Sequence, residues 1–132
     1  MSQVHLQFLV SGDAFGSGGR LQTCIYVDAG SDRFLVDCGA SSMIALRHWH
    51  VSPTSVNTIL LTHLHGDHFG GLPFLLLDAQ LVSKRTQRLI VSGPPGTQAR
   101  IQEAQEILFP GSSHILQRFP IHYMEWLDGK ST

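Results

Sequence analysis

The sequence predicts an α/β fold that opens with antiparallel strands and continues with parallel strand–helix units. Three observations predict it. Two β-favouring runs, Thr23–Asp28 and Arg33–Asp37, meet at the turn signal "AGSD" (29–32). Two short, nearly continuous apolar runs, Asn57–Thr62 and Arg88–Gly93, have the character of strands buried on both faces. Each of these is followed by a helix opening marked by glycine and proline, and a strand–helix–strand order needs parallel strands with helices laid across a face.

In chain order, Val4–Val10 alternates partly and suits a first strand, and the glycine-rich loop "SGDAFGSGGR" (Ser11–Arg20) follows it. After the Thr23–Asp37 hairpin, Ser41–His50 is a short helix with Met43, Leu46 and Trp49 three apart, ending before Ser52-Pro53. Beyond the Asn57–Thr62 strand, "GGLPFLLLDAQLV" (70–82) begins a helix with Pro73 in its first turn, where the missing N–H costs little. The Arg88–Gly93 strand leads into a helix within "PPGTQARIQEAQEILF" (94–109), with Ile101, Ala104, Ile107 and Leu108 on one side. A last strand and turn lie in "HYMEWLDG" (122–129). Without repeats or a linker, residues 1–132 read as a single unit.

Composition excludes several classes of function. The chain is 42% hydrophobic and 14% charged with a formal net charge of −1, so no basic surface argues for nucleic-acid or membrane binding. A small phosphate-bearing substrate stays compatible, because local groups suffice to hold it. No apolar run approaches the ~20 residues that span a bilayer. The opening "MSQVHLQFLVSGDAF" lacks the basic region of a secretory signal, and a cytoplasmic location is expected. Cys24 and Cys38, symmetric about the Ser31 turn, are expected to be reduced, buried neighbours.

Chemistry concentrates in "THLHGDHFGG" (Thr62–Gly71), where His63, His65, Asp67 and His68 fall within six residues. Imidazole and carboxylate are good ligands for zinc, and also for manganese or iron. An extended backbone points His63 and His65 the same way, so one cation can take both. Gly66 permits a sharp turn, and the adjacent Asp67 and His68 diverge toward a second cation.

"HLHGDH" resembles the H-x-H-x-D-H motif of the metallo-β-lactamase superfamily. The wider "TILLTHLHGDHFGGLPFLL" is similar to its phosphodiesterase side, namely ribonuclease Z and small cyclic-phosphodiesterase-like hydrolases. "SGDAFGSGGR" and "FLVDCG" are similar to the opening segments of those proteins. The resemblance runs from about Val4 to Gly129. It implies an αββα sandwich of which this chain is the N-terminal half. It implies two divalent cations, zinc with manganese or iron as alternatives, the first on His63 and His65 and the second on Asp67 and His68. It implies hydrolysis by metal-bound hydroxide of a phosphodiester, RNA or cyclic nucleotide-like, with Asp67 also orienting the nucleophile. Asp37 is implied to fix a ligand loop by hydrogen bonds; read from the residues alone, it serves equally as a cap for the Ser41–His50 helix.

The superfamily also uses a later histidine, a bridging aspartate and a final histidine. Downstream of His68 stand only His114 and His122 and the carboxylates Asp78, Glu103, Glu106, Glu125 and Asp128. Both histidines read as surface residues. A strand-rich half with helices on one side also leaves an apolar sheet face, which a missing C-terminal half or a second chain is expected to cover. Rival functions are hydrolysis of a lactone, thioester or β-lactam on the same fold, and a non-catalytic metal-binding half-domain that needs a partner. Among smaller features, Arg20 is placed to pair with a phosphate, and "SGPPGT" (92–97) is read as a strand-to-helix turn with Thr97 as cap. Lys84, Arg85 and Arg88 are read as a solvated basic run, and His48 and His50 as charges near a helix end.

Overall fold

The structure is a computed structural model that describes residues 3–127. Six strands and four helices follow one another as β1 (His5–Val10), β2 (Cys24–Asp28), β3 (Arg33–Val36), α1 (Ser42–His48), β4 (Thr58–Leu60), α2 (Gly66–Phe69), α3 (Leu72–Leu81), β5 (Leu89–Gly93), α4 (Thr97–Leu108) and β6 (Ile121–Glu125). They form one sheet in the order β1–β2–β3–β4–β5–β6. The first three strands pair antiparallel, and β3 to β6 pair parallel. This is the expected antiparallel opening and parallel continuation. One consequence positions the site: the carboxyl ends of β1, β3, β4, β5 and β6 all reach the same edge of the sheet.

Alternation along the strands sorts residues onto two unlike faces. On one, Leu9, Cys24, Leu35, Ile59, Leu61, Leu89 and Val91 are buried against Leu46 of α1, Leu72, Leu75 and Leu76 of α3 and Ile101 of α4. Each such side chain contributes ~1.5–3 kcal/mol by leaving water. A shift of register between Phe8 and Val10 lets the bulged strand keep Leu9 in this core. The other face carries two rows in register, Leu6–Val27–Phe34–Thr58–Ile90–His122 and Phe8–Ile25–Val36–Leu60–Ser92–Met124. Its rims are open: Leu6 is 59%, Phe8 60% and Met124 46% exposed. The described residues place no helix over it, as the sequence predicts.

Three local readings need correction. In α4 the buried stripe is Thr97, Ile101 and Gln105, while Ile107 and Leu108 are exposed. The helix packs through the line Thr97–Ile101–Gln105, and its last apolar pair lies outside that contact. Arg85 is not solvated with Lys84 and Arg88. It is buried, and its guanidinium donates to the carbonyls of Gln87 (2.7 Å), Val56 (2.8 Å) and Arg88 (2.9 Å), knitting the turn before β4 to the entry of β5. Thr97 is the first residue of α4 and donates its hydroxyl to Pro94 O (2.7 Å). The first turn is instead capped from β6, where Glu125 Oε1 accepts from Gln98 N (3.0 Å). Among the described residues, no helix is long and apolar enough to cross a membrane.

Candidate metal centre

Asp37 follows β3 in the left-handed region, at φ 61°, where aspartate is one of the few non-glycine residues found with any frequency. Its carboxylate is buried and accepts from three donors, the Thr62 hydroxyl being shared between its two oxygens. Oδ1 takes Thr62 N (2.8 Å) and Thr62 Oγ1 (3.0 Å); Oδ2 takes Thr62 Oγ1 (2.8 Å) and His68 Nδ1 (2.7 Å). The side chain thus ties the end of β3 to both ends of the Thr62–His68 segment. It caps no helix: Ser41 is the residue before α1, and its hydroxyl accepts from Gln22 N (2.9 Å).

Backbone approach completes the mount. Cys38 N donates to His68 O (2.7 Å), and Gly71 N donates to Cys38 O (2.9 Å). A Cβ on Gly39 would lie 2.3 Å from Asp67 O, and one on Gly71 would lie 2.2 Å from Gly39 O. The two glycines let the 37–39 and 67–71 segments touch main chain to main chain. Sequence reading does not single out Gly39, Gly71 or Thr62; the available signals are their places after "DC", in "GG" after "HLHGDH", and just before that motif.

The ligand cluster is not a plain turn. His65 is extended (φ −84°, ψ 150°), as its pairing with His63 requires, but Gly66 opens a one-turn helix rather than a sharp turn. Asp67 and His68 therefore stand in the first turn of α2, while Phe69 plugs into the core. They do not diverge: His68 Nε2 lies 3.1 Å from Asp67 Oδ2. The imidazole of His63 is 4.8 Å from that of His65 and 4.0 Å from that of His68, centroid to centroid. All four side chains named by the sequence come together.

The chemistry of the Asp67–His68 pair fits a divalent cation. A carboxylate only accepts, so His68 must carry its proton on Nδ1, where it faces Asp37. In a neutral imidazole Nε2 is then a lone pair facing the Asp67 oxygen, two acceptors in contact that a shared cation satisfies. Two ligands at ~2.0–2.1 Å on a tetrahedral zinc stand roughly 3.3 Å apart, close to the contact seen here. No three histidine, cysteine, aspartate or glutamate side chains among the described residues converge on one point as a closed cage would. A cation here would thus receive at most two ligands from the described residues.

The other titratable candidates are occupied elsewhere. Asp78 pairs with Arg47 (2.8 Å) and accepts from Ser83 Oγ. Glu106 accepts from Gly111 N (2.9 Å), Ser113 N (3.0 Å) and the Ser113 hydroxyl. The hydroxyl first, then the two amides, holds its carboxyl down to about 2. Glu103 contacts Arg100, His114 lies near Glu106 past α4, and His122 is exposed on the open face. Asp128 falls outside the described residues. Cys24 and Cys38 are buried free thiols beside Ser42, and burial pushes the Cys24 thiol up to about 11.

The glycine-rich loop lies at the same sheet edge. Asp13 pins it by accepting from Phe15 N (3.0 Å) and Ser17 N (3.1 Å). Gln22 then joins it to the 37–41 segment by accepting from Ala40 N (2.9 Å).

The family model described as Anti-Pycsar protein Apyc1 matches residues 4–98. Ribonuclease Z of Methanocaldococcus jannaschii is 35% identical over 120 residues, which cover 91% of this chain and 36% of that protein. The short form of human tRNase Z superposes with a TM-score of 0.74 at 30% identity, over 93% of this chain and 45% of that one. The metallo-β-lactamase fold protein YhfI of Bacillus subtilis gives a TM-score of 0.69 at 16% identity, over 96% of this chain and 48% of that one. This chain spans about a third of the length of the curated relatives it matches.

Proposed function

From a chain that belongs to the Anti-Pycsar protein Apyc1 family and carries an RNase Z-like metallo-β-lactamase fold, we propose a part in metal-dependent phosphodiester hydrolysis. His63 and His65 would hold one divalent cation, and Asp67 and His68 a second. Zinc is the proposed metal, because the donors are imidazole and carboxylate. Cations bound there supply a water acidic enough to ionise near pH 7 and polarise a phosphoryl oxygen.

The chain's own residues do the positioning. Asp37 holds the His68 ring so that Nε2 faces outward beside Asp67. Asp67 uses one oxygen for this pair and leaves the other to orient the attacking water and take up its proton. Gly39 and Gly71 fix the height of the whole segment over the sheet edge. The remaining coordination positions, and cover for the open sheet face, are proposed to come from water and from groups outside the described residues. RNA or a cyclic nucleotide is the proposed substrate class, by likeness to ribonuclease Z.

The observation that carries this reading is the His68–Asp67 contact, aimed by Asp37. A second reading, metal binding without turnover, draws on the two-ligand supply to each cation. Metal content and hydrolysis of bis(p-nitrophenyl) phosphate by the purified chain separate them. The expected result is up to two zinc ions per chain, with zinc-dependent turnover that falls at least about a hundredfold in Asp67→Ala. Zinc uptake without any turnover selects the second reading. Unchanged zinc content in His65→Ala defeats both, and lactone or β-lactam opening in place of phosphodiester cleavage overturns the substrate class.

A further inference from the structure

The hydroxyl of Thr62 lies between the Asp37 carboxylate and the ring of His63. It is 2.8 Å from Oδ2 and 3.0 Å from Oδ1 on one side, and 3.1 Å from His63 Nδ1 on the other. A hydroxyl has one proton to give. If that proton went to His63, the Thr62 oxygen would face the carboxylate as acceptor against acceptor at 2.8 Å, in a partly buried place where the repulsion is poorly screened. The proton therefore goes to Asp37. The hydroxyl oxygen then accepts, and His63 must carry its own proton on Nδ1. Its Nε2 is left as a lone pair.

His68 reaches the same state without an intermediary, because its Nδ1 donates straight to Asp37 Oδ2 at 2.7 Å. One buried carboxylate thus sets the tautomer of both histidines, directly for His68 and through a hydroxyl for His63. The two rings belong to different cations in the function proposed above, on which this inference rests. We propose that Thr62 is a positioning residue, the relay by which Asp37 presents His63 Nε2 to the first cation.

Two features make the relay separable from the fold. Thr62 also donates its backbone N–H to Asp37 Oδ1 at 2.8 Å, a bond that any side chain keeps. Valine has nearly the shape of threonine, so Thr62→Val removes the relay and leaves the mount. Thr62→Ser keeps the hydroxyl and serves as the rescue.

The test reads the metal-free chain first. Nitrogen-15 NMR of the wild type, followed over a pH series, should find the His63 and His68 protons of the neutral rings on Nδ1. In Thr62→Val, His63 should move to a mixture or to the Nε2–H form while His68 stays; Thr62→Ser should match the wild type. Zinc titration against a chromophoric chelator should then show one of two affinities weakened roughly 10–100-fold in Thr62→Val, the usual effect of losing a group that orients a metal-bound histidine. A wild-type His63 with its proton on Nε2 overturns the relay, as does Thr62→Val with unchanged tautomer and affinity. A wild type that binds no zinc but shows the Nδ1 proton keeps the relay and removes the ligand assignment. Should Thr62→Val fail to fold, the wild-type and Thr62→Ser spectra still decide the tautomer.

Discussion

Gly39→Ala should damage the metal centre out of proportion to its size. The added Cβ would lie 2.3 Å from Asp67 O and 2.7 Å from Gln22 Cβ. Opening the first contact to 3.0 Å, already tighter than real Cβ contacts, needs a shift of about 0.7 Å between the 37–39 and 67–71 segments. Those segments are held by Cys38 N to His68 O and Gly71 N to Cys38 O, at 2.7 and 2.9 Å. The shift would stretch both toward the limit of a hydrogen bond. Losing them costs about 1 kcal/mol each, and overpacking adds ~1–3 kcal/mol. The total, roughly 3–5 kcal/mol, is a large share of the ~5–15 kcal/mol that holds a domain folded, and a Tm fall of at least about 10 °C follows. Because the carbonyl that moves belongs to Asp67, zinc affinity should fall as well, on the order of tenfold or more.

The assay is a thermal melt and a zinc titration on Gly39→Ala beside Gly30→Ala. Gly30 sits at φ 85° in the β2–β3 turn with open space around its Cα. There alanine meets only backbone strain, ~1 kcal/mol, far from the ligands. Zinc affinity unchanged in Gly39→Ala, or reduced equally in both variants, would refute the argument that this glycine sets the height of the ligand loop.

Arg85→Met should destabilise the chain by roughly 2–4 kcal/mol, since three short charge-assisted bonds to carbonyls are lost and the Val56 carbonyl is left buried without that donor; a urea midpoint within error of wild type would contradict this. Glu106 gives a pH signature. Its carboxyl is lowered from 4.5 to about 2 in the folded chain, so its contribution is complete above the ordinary value and is lost as pH falls through about 2. Glu106→Gln should therefore flatten the dependence of urea stability on pH between about 4.5 and 2, and an unaltered slope there would show that the Ser113 and Gly111 bonds do not hold in solution.

The clustering of the four residues proposed as ligands was legible in sequence because all four are local. His63 and His65 need only an extended backbone, and Asp67 and His68 only a turn of helix, so short-range geometry brings each pair together. The antiparallel opening and parallel continuation were legible for a similar reason, since apolar runs bounded by turn signals report burial directly, whereas the order of the six strands in the sheet came from the structure. Arg85 was misread because a buried cation satisfied by carbonyls has no charged partner to betray it in the sequence. The exposure of Ile107 and Leu108 depends on where α4 leaves the sheet, which its own periodicity does not encode.

What only the tertiary structure decided is how the candidate ligands are held. Asp37 and Thr62 are 25 residues apart, and Asp37 and His68 are 31 apart. Their meeting depends on β3 and β4 pairing in parallel, register for register, so that both strand ends arrive at one edge. Sequence fixes which groups can coordinate a cation, since that is a property of side chains. Their orientation and tautomer are set by hydrogen bonds that exist only once distant strands have docked.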